Sequence, residues 1–257
     1  MPDRAPTGSL FSLAGSRALV TGASRGLGRA MAEALAAAGA DVACVDRSAT
    51  DETAAAVRTA GRSAWQLAAD LSDRDAIRRL VEQVEREVGE IDILVNNAGT
   101  IRRAPATEYS LDDWDLVLRT NLDSVFMLSQ QFGRRMVERG RGKIINIASL
   151  LAFSGGITVP AYTASKSAVA GLTRALANEW AGRGVQVNAI APGYFRTDNT
   201  RALRENEVRN AEITARIPAG RWGEPQDLAG PVVFLASSAS DYVNGHVLVV
   251  DGGWMAR

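Results

Sequence analysis

The chain alternates continuous apolar runs with longer segments in which apolar residues recur every three or four positions. The apolar runs predict β-strands at 17–22, 41–46, 63–70, 91–99, 143–149, 185–193 and 245–253. The segments between them predict helices at 26–39, 50–60, 73–88, 110–139, 162–181 and 225–237. Strands that are apolar along their whole length and separated by helices indicate a parallel sheet covered on both faces. The pattern therefore predicts an α/β fold.

Nothing in the sequence divides this alternation into separate units. No linker, internal repeat or low-complexity segment is present, so we predict one domain over residues 1–257. Residues 1–12 are rich in Pro, Gly and Ser and are predicted to form a flexible N-terminal arm. The polar, charged segment 194–217 shows no regular pattern. We predict an irregular loop there that discriminates between substrates, since binding residues concentrate on loops.

Composition and charge narrow the class of protein. The chain has 257 residues, 46% of them hydrophobic, which suffices for a sizeable core. Its 29 basic and 29 acidic residues cancel, whereas a nucleic-acid or anionic-membrane partner would favour a basic excess. No apolar segment is long enough to span a bilayer, and the first ten residues lack the apolar middle of a signal peptide. We therefore predict a cytoplasmic protein without nucleic-acid or membrane partners.

Several chemistries lack the residues that they need. The single cysteine, Cys44, excludes an intramolecular disulfide. One cysteine and one histidine, His246, cannot assemble a usual zinc site, so we expect no metal. No histidine accompanies a serine nucleophile motif, and no P-loop motif is present. These absences disfavour zinc enzymes, serine hydrolases and P-loop nucleotide hydrolases.

A glycine-rich stretch, T-G-A-S-R-G-L-G at 21–28, joins the first predicted strand to the first predicted helix. Glycines permit a tight turn and a close approach of backbone to a pyrophosphate, and the helix start offers free N–H groups. Asp46, at the end of the second strand, can accept hydrogen bonds from a ribose and would repel a 2′-phosphate. This favours NAD, although Arg25 and Arg47 could pair with the 2′-phosphate of NADP.

Tyr162 and Lys166 stand four residues apart in a helical pattern, which places them on one face. A free tyrosine has a pKa of about 10 and is a poor base at neutral pH. A fixed positive charge nearby lowers that pKa, and a shift to about 7 needs roughly 4 kcal/mol. Lys166 and a bound cationic cofactor ring could share this stabilisation. The pair then predicts an acid/base that exchanges a proton with an alcohol or a ketone.

Six motifs in order make the chain resemble the short-chain dehydrogenase/reductase family. They are T-G-A-S-R-G-L-G (21–28), N-N-A-G (96–99), Asn121, Ser149, Y-T-A-S-K (162–166) and P-G-Y-F-R-T (192–197). The resemblance covers nearly the whole chain. It implies a doubly wound, seven-stranded Rossmann sheet and hydride transfer between NAD(P) and an alcohol or ketone.

The resemblance also implies a role for each matching residue. Tyr162 would be the acid/base, and Lys166 would lower its pKa and hold the nicotinamide ribose. Ser149 would polarise the reacting oxygen, and Asn121 would hold a water that links Lys166 to solvent. The implied cofactor contacts are Gly22, Ser24, Arg25, Gly26, Leu27, Gly28, Asp46, Arg47, Asp70, Leu71, Asn97, Ala98, Gly99, Tyr162, Lys166, Pro192, Gly193 and Thr197. Asn96 and Asn97 could instead serve mainly to stabilise the sheet.

The substrate is indicated by charged and polar residues near the ends of two strands. Arg102 and Arg103 follow N-N-A-G, and either guanidinium could pair with a carboxylate. Tyr194, Asn199 and Ser149 are the other candidate substrate contacts. The motifs around these residues resemble the branch of 2-dehydro-3-deoxy-D-gluconate 5-dehydrogenases, also called 2-deoxy-D-gluconate 3-dehydrogenases. Gluconate 5-dehydrogenases and 3-oxoacyl-carrier-protein reductases share much of the same pattern and remain alternatives.

Two further expectations come with the family. A homotetramer is implied, in which the long helices 112–138 and 162–181 pair at one interface and the last strand lies at another. A catalytically silent dinucleotide-sensing module is the non-enzymatic alternative. Such a module would be expected to lose Tyr162 or Lys166, and both are present.

Overall fold

The computed structural model describes residues 7–257 of the chain. Within that range the strands are β1 Arg17–Thr21, β2 Asp41–Asp46, β3 Ala64–Ala68, β4 Ile93–Asn96, β5 Gly142–Ile147, β6 Val185–Pro192 and β7 Val247–Val250. The α-helices are α1 Thr7–Leu10, α2 Gly26–Ala37, α3 Asp51–Thr59, α4 Arg74–Glu87, α5 Leu111–Leu118, α6 Ser124–Arg139, α7 Pro160–Trp180, α8 Arg201–Glu205, α9 Glu207–Arg216 and α10 Ala229–Ala236. Each predicted strand is present, and each predicted helical region contains helix, with ends that differ by a few residues.

The seven strands form one parallel sheet in the order β3-β2-β1-β4-β5-β6-β7. Apolar side chains cover both of its faces. One buried cluster includes Met31 and Leu35 of α2 with Leu235 of α10, and a second includes Leu128 and Phe132 of α6. Because both faces are covered, the strands are apolar throughout, as the sequence indicates. The doubly wound Rossmann arrangement is confirmed.

The strand order reverses between β1 and β4, and this reversal locates the candidate site. In open α/β sheets, ligands bind outside the carboxyl ends of the strands where the order reverses. The residues at those ends are Gly22 after β1, Asp46 at the end of β2, Asn97 after β4, Ser149 after β5 and Gly193 after β6. The topology therefore brings five predicted site residues to one edge of the sheet.

Inside the sheet, a row of buried polar side chains links β4 and β5 to the helices beside them. The side-chain amide of Asn96 donates to the Ser129 hydroxyl (3.1 Å) and to Asn146 Oδ1 (2.9 Å). Asn146 in turn donates to the Thr173 hydroxyl of α7 (3.0 Å). Buried polar groups that are hydrogen-bonded in this way fix the relative positions of the elements that carry them. Asn96 therefore has the structural role that the sequence left open.

Residues 110–139 do not form one uninterrupted α-helix, so that prediction is wrong. A π-helical turn at Arg119–Asp123 separates α5 from α6. Asn121, in the middle of this turn, is fully buried and bonded to the loop after β4. Single π-turns inside helices are frequent at functional sites. The sequence shows no signal for the turn, because its residues have ordinary helical spacing.

The predicted irregular loop at 194–217 is also wrong, since most of it is helical. A 3₁₀ turn at Asp198–Thr200 precedes α8 and α9. Asn206 caps α9 by accepting a hydrogen bond from the N–H of Arg209, and Ile213 packs into a buried cluster. The two helices are too short for the period of their apolar residues to be recognised in the sequence.

The predicted N-terminal arm lies partly outside the described residues. Residues 1–6 are not described, and Thr7–Leu10 form one helical turn. The Ser238 hydroxyl donates to the carbonyl of Leu10 (3.0 Å), so this end of the arm is attached to the domain. No helix within 7–257 has the length and apolarity needed to cross a bilayer. Over the same range, no cluster of three or more His, Cys, Asp or Glu side chains could hold a metal ion.

Candidate active site

The glycine-rich loop makes a tight turn between β1 and α2. Gly22 and Gly26 have φ of +68° and +57°, a region that favours glycine. A Cβ on Gly28 would lie 2.0 Å from the carbonyl oxygen of Gly22, so α2 starts against the turn with no room for a side chain. No side chain caps the first turn of α2, which leaves its N–H groups and positive dipole end unoccupied by the protein. These features fit the pyrophosphate of a dinucleotide.

Asp46 is held at the end of β2 by two backbone N–H groups. Its Oδ2 accepts from Ser24 (3.0 Å) and its Oδ1 accepts from Ser48 (3.0 Å). The carboxylate therefore ties the glycine-rich loop to the turn after β2, and its charge is fixed beside the groove. Leu27 and Leu71 pack against the apolar core instead.

The two arginines near this end of the groove are both paired with carboxylates. Arg25 Nε lies 3.3 Å from Asp198 Oδ2, and Arg47 Nη1 lies 3.8 Å from Asp70 Oδ2. Both guanidinium groups are well exposed, so these pairs are weak and exchangeable. Hydrogen bonds from Ser72 lower the pKa of Asp70, and the charge of Arg47 adds to this effect. The Arg25–Asp198 pair also crosses the groove, from the glycine-rich loop to the segment before α8.

The loop after β4 is fastened to the glycine-rich loop. The Asn97 side-chain amide donates to the carbonyls of Thr21 (2.8 Å) and Gly22 (3.2 Å). The backbone N–H groups of Asn97 and Ala98 both donate to the Thr21 hydroxyl, each at 3.0 Å. The Asn97 side chain is thus used to join the two loops. Ala98 is partly buried and packs against the apolar core.

Tyr162, Lys166 and Ser149 meet between α7 and the end of β5. The Lys166 ammonium lies 5.7 Å from the centre of the Tyr162 ring and donates to the carbonyl of Ile147 (2.6 Å). The Ser149 hydroxyl hydrogen-bonds with the Tyr162 phenol and accepts from the N–H of Leu151 (3.2 Å). A proton donor, a second hydroxyl and a cation are therefore held in one small volume. Such a set can polarise and protonate a carbonyl oxygen.

The side chain of Asn121 is bonded to the loop after β4 and to α7, and the expectation that this residue holds a water stays a prediction. Its Oδ1 accepts from the N–H of Thr100 (2.8 Å), and its Nδ2 donates to the Thr100 carbonyl (2.9 Å) and to the Ser165 hydroxyl (3.2 Å). The side chain is therefore occupied by protein groups. A Cβ on Gly99 would lie 3.3 Å from Asn121 Oδ1 and 3.7 Å from Lys166 Nζ. The glycine thus allows the loop after β4 to pass close to both side chains.

The structure distinguishes Arg102 from Arg103. Arg102 Nε lies 3.2 Å from Asp113 Oδ1, and its Nη1 donates to the Thr100 hydroxyl (3.2 Å). Arg103 has no hydrogen bond or ion pair among the described residues, and its charge lowers the pKa of Tyr162. Of the two guanidinium groups, the one whose charge acts on Tyr162 is therefore the one without a protein partner among the described residues.

Comparison with known proteins places this arrangement in a family. Residues 22–255 match a family model described as enoyl-(acyl carrier protein) reductase. A 2-dehydro-3-deoxy-D-gluconate 5-dehydrogenase from Dickeya dadantii is 56% identical over 248 residues, covering 96% of this chain and 98% of that protein. The chain belongs to the short-chain dehydrogenase/reductase family.

Solved structures of the family share the whole fold. A provisionally assigned NAD(P)-dependent gluconate 5-dehydrogenase from Beutenbergia cavernae, with bound NADP, is 55% identical with a TM-score of 0.94. The match covers 96% of this chain and 100% of the Beutenbergia cavernae chain. A gluconate 5-dehydrogenase from Burkholderia cenocepacia, in complex with NADP and tartrate, is 42% identical with a TM-score of 0.93, covering 98% and 100% of the two chains. This chain is therefore an NAD(P)-dependent oxidoreductase of the same family.

In this family member, the protonation of Tyr162 is governed by burial. Desolvation raises the pKa of Tyr162 above its ordinary value, and the Ser149 hydrogen bond and the charge of Arg103 lower it only in part. Burial also lowers the pKa of Lys166 to about 8. The expectation that Lys166 and a bound cationic cofactor ring together lower the pKa of the phenol stays a prediction. Within the protein alone, the desolvation of the phenol is the larger effect. The protein alone holds Tyr162 as a proton donor.

The segment from Pro192 to Asn199 leads from the end of β6 into the helices that follow. A Cβ on Gly193 would lie 2.7 Å from the Asp251 side chain, so this position admits only glycine. Thr197 caps the following 3₁₀ turn through the Thr200 backbone, and Asn199 within that turn is exposed. The predicted contacts at Thr197 and Asn199 thus lie on the helical segment, not on a loop.

Tyr194 lies in an aromatic cluster with Trp222 and Trp254, next to this helical segment. Its ring makes an edge contact with Trp222 (centroids 5.4 Å apart) and a tilted contact with Trp254 (4.6 Å). The Trp222 indole N–H donates to Asn210 Oδ1 (2.8 Å) in α9. These contacts join the segment 194–216 to the end of the chain. Tyr194 therefore supports the helices, whatever its hydroxyl contacts.

Sequence reasoning missed two residues that shape the site. Ser165 is fully buried; its hydroxyl donates to the Tyr162 carbonyl (2.8 Å) and accepts from Asn121. Thr158 has φ of +63°, and its carbonyl accepts from the N–H of Ala104 (3.0 Å), the residue after Arg103. A polar residue between Tyr162 and Lys166 on a helix could have been noticed. Nothing in the sequence points to the backbone conformation of Thr158.

Proposed function

We propose that this enzyme interconverts a ketone and a secondary alcohol on a deoxy-gluconate-type sugar acid, with NAD(H) as the preferred cofactor. The observation that carries the proposal is the combination of two features in one cleft. Tyr162, Ser149 and Lys166 form a proton-donating set, and the guanidinium of Arg103 lies close enough to lower the pKa of Tyr162 while it has no partner of its own. An anionic hydroxy- or keto-acid satisfies both features.

Each residue of the set has a separate task. When bound, a nicotinamide dinucleotide supplies or accepts the hydride. In the reducing direction Tyr162 donates its proton to the substrate oxygen, and Ser149 donates a hydrogen bond to the same oxygen. An ordinary phenol is already protonated at neutral pH, and the raised pKa of Tyr162 reinforces that state, so the group is ready for this direction. In the oxidising direction Tyr162 accepts the proton of the alcohol, and the positive charges of Lys166, Arg103 and a bound nicotinamide ring would favour the tyrosinate that does so.

Lys166 and Asn121 support the tyrosine from the protein side. The ammonium of Lys166 is fixed by the Ile147 carbonyl and holds the nicotinamide ribose in this scheme. The Asn121 side chain fixes the loop at Thr100. We assign the return of the proton from solvent to Lys166 and to a water held at Asn121.

The preference for NAD rests on the charges around the adenosine end of the groove. Asp46 is a fixed negative charge, and Arg25 and Arg47 are each partly neutralised by a carboxylate. A 2′-phosphate would have to displace these pairs and approach Asp46. NADP in the structures of relatives shows that the family accepts it, so both cofactors must be measured.

We also propose a cytoplasmic homotetramer that acts on a small molecule. Two large apolar side chains, Leu111 of α5 and Phe126 of α6, are exposed on the helices that the family resemblance places at a subunit interface. A second copy of the chain would cover them. Light scattering coupled to size exclusion measures the mass directly, and a monomer at micromolar concentration would contradict this assignment.

The activity is tested by steady-state turnover with NAD(H) and NADP(H) against keto and hydroxy sugar acids. The panel includes 2-dehydro-3-deoxy-D-gluconate and gluconate, with a steroid and an acetoacetyl thioester as controls. We expect the highest kcat/KM with the deoxy-gluconate acid and NAD(H). A preference for gluconate, or for the thioester with NADPH, would support one of the two alternative enzymes. Dinucleotide binding without any turnover would support a sensing module.

A further inference from the structure

The arginines of the described residues differ in how their charge is compensated. Four of them are only partly exposed, and three of these pair with a carboxylate. Arg29 lies 2.7 Å from Glu33, Arg62 lies 2.9 Å from Asp41, and Arg139 lies 3.4 Å from Asp92. The fourth, Arg204 of α8, has no carboxylate within ion-pair distance among residues 7–257.

The guanidinium of Arg204 is held by one hydrogen bond only. Its Nη2 donates to the carbonyl of Thr197 (3.0 Å). Its Nε is sealed from solvent and has no hydrogen-bond partner. Its Nη1 has no hydrogen-bond partner within the described part of the chain and, unlike Nε, is accessible to solvent. The side chain is therefore held through Nη2, while Nη1 is accessible to solvent and remains free to donate a hydrogen bond.

A charge withdrawn from water is normally paired, because its lost hydration has to be replaced. A guanidinium in this state selects an oxyanion, with which it forms short, charge-assisted hydrogen bonds. Since the described residues supply no such anion, we propose that Arg204 binds an oxyanion of a bound ligand through Nη1. The chemical class is a carboxylate or a phosphate.

The position of Arg204 relates this donor to the site. Thr197, to which it is bonded, lies 3.8 Å from the place where a Cβ of Gly26 would stand in the glycine-rich loop. The preceding residue, Leu203, packs on the aromatic cluster that contains Tyr194. Helix α8 is therefore attached to the aromatic cluster through Leu203, and Arg204 is bonded to a residue that lies beside the glycine-rich loop. The ligand oxyanion is supplied by the pyrophosphate of the dinucleotide or by the carboxylate of the sugar acid, and this choice rests on the proposed function.

If the role of Arg204 is purely structural, a different result is expected. If Arg204 served only to cap the turn at Asp198–Thr200 through Thr197, its loss would lower the stability of α8 and would affect all ligands alike. Arg201 provides a matched control, since it lies in the same short helix but is exposed and paired with Asp198. Replacement of Arg201 disturbs the helix without removing an uncompensated charge.

The test compares Arg204→Gln and Arg204→Lys with Arg201→Gln in the full-length enzyme. The first arm measures the Kd of NADH by fluorescence titration, which needs no substrate or turnover. The second arm titrates a sugar acid into the enzyme–NADH complex. It is compared with a neutral analogue in which the carboxylate is replaced by an alcohol. Loss of a hydrogen bond to a charged group is expected to weaken binding by about tenfold to a hundredfold.

The two arms identify the source of the oxyanion. A raised Kd for NADH in Arg204→Gln, partly restored in Arg204→Lys, supports the pyrophosphate. A raised Kd for the sugar acid but not for its neutral analogue supports the carboxylate. If both dissociation constants stay within twofold of those of Arg201→Gln, Arg204 binds no oxyanion and the inference is overturned. Should Arg204→Gln not fold, Arg204→Lys decides alone, because it keeps the charge but loses the guanidinium fork.

Because the first arm uses NADH alone, it stands even if the sugar acid is not the substrate. Failure of the proposed function would appear as absence of sugar-acid binding to the wild-type enzyme. Failure of the present inference would appear as unchanged binding in the variants while the wild type binds normally. The two results are therefore distinguishable in one set of titrations.

Discussion

Lys166 lies beside the ring of Tyr162, 5.7 Å from its centre, and gives its hydrogen bond to the Ile147 carbonyl instead of the phenol. The two side chains share the i, i+4 face of α7, so their proximity is a property of the helix. Burial then acts on them in opposite directions: it raises the pKa of Tyr162 and lowers that of Lys166. Each group is pushed toward its neutral form, and this governs the first two predictions.

Replacement of Tyr162 by Phe should abolish turnover. The change removes the proton donor but keeps the ring beside Lys166, so folding and dinucleotide binding should be preserved. General acid catalysis contributes about a hundredfold to ten-thousandfold, and kcat should fall by at least that much. Ser149→Ala is the companion variant and should cost less, because the phenol remains. Turnover by Tyr162→Phe close to that of the wild type would refute the assignment of the site.

The stability of the protein should rise with pH between about 8 and 10 through Lys166. Its folded pKa is about 8, below the ordinary 10.5, so in this window the unfolded state binds more protons than the folded state. Unfolding then becomes less favourable as pH rises. Above pH 10 the raised pKa of Tyr162 acts oppositely, since the unfolded phenol loses its proton first.

Urea unfolding of the wild type and of Lys166→Met at several pH values between 7 and 10 checks this linkage. The free energy of unfolding of the wild type, relative to that of the variant, should increase with pH. A constant difference would show that Lys166 keeps an ordinary pKa, held up by its hydrogen bond to Ile147.

Arg103 should matter for an anionic substrate and Arg102 much less. Arg103→Ala should raise KM for the sugar acid by about tenfold to a hundredfold and leave a neutral analogue unaffected, since it removes a charge-assisted hydrogen bond. Arg102→Ala is the matched control, because Arg102 is already paired with Asp113. Equal effects of the two variants, or equal effects on the acid and its neutral analogue, would count against carboxylate recognition by Arg103.

Thr158→Gly should stabilise the protein. A β-branched residue at φ +63° costs roughly 1–2 kcal/mol, whereas glycine adopts this conformation freely at an entropic cost of about 0.5–1 kcal/mol. The net gain should be about 0.5–1 kcal/mol in the free energy of unfolding, measured by urea denaturation. Thr158→Ala keeps the unfavourable conformation and should show no gain. A destabilised Thr158→Gly would mean that the threonine side chain makes a contribution larger than the backbone cost.

Asp46→Asn should shift the cofactor preference toward NADP. The amide keeps an oxygen for the N–H groups of Ser24 or Ser48 but removes the charge that opposes a 2′-phosphate. The ratio of kcat/KM for NADP to that for NAD should rise by about tenfold, corresponding to roughly 1.4 kcal/mol. Arg47→Gln should lower the use of NADP without affecting NAD. An unchanged ratio in Asp46→Asn would show that the carboxylate does not face the ribose.

Much of the fold could be predicted, because local spacing carries it. Apolar strands alternating with helices indicate a covered parallel sheet, and the structure has one. The helix beginning at Gly26 and the pairing of Tyr162 with Lys166 depend on residues close in sequence. The positions of Ser149 and Gly193 at strand ends follow from the same pattern. These features need only the period of a helix or strand and the turn chemistry of glycine.

Other features depend on contacts between distant segments, and the sequence could not specify them. The π-turn at 119–123 forms where Asn121 bonds to Thr100, and α9 is stabilised by Trp222. The roles of the arginines were also undecided, since whether a guanidinium has a partner depends on which carboxylate the fold brings near it.

The chain by itself thus determined the sheet, the dinucleotide turn and the catalytic pair, because helix and strand periods and glycine turns act over a few residues. Only the folded molecule decided that Arg102 is paired, that Arg103 and Arg204 are not, and that burial raises the pKa of Tyr162. The physical reason is that burial and charge compensation are sums over neighbours from many parts of the chain. Such sums exist only after the chain has folded.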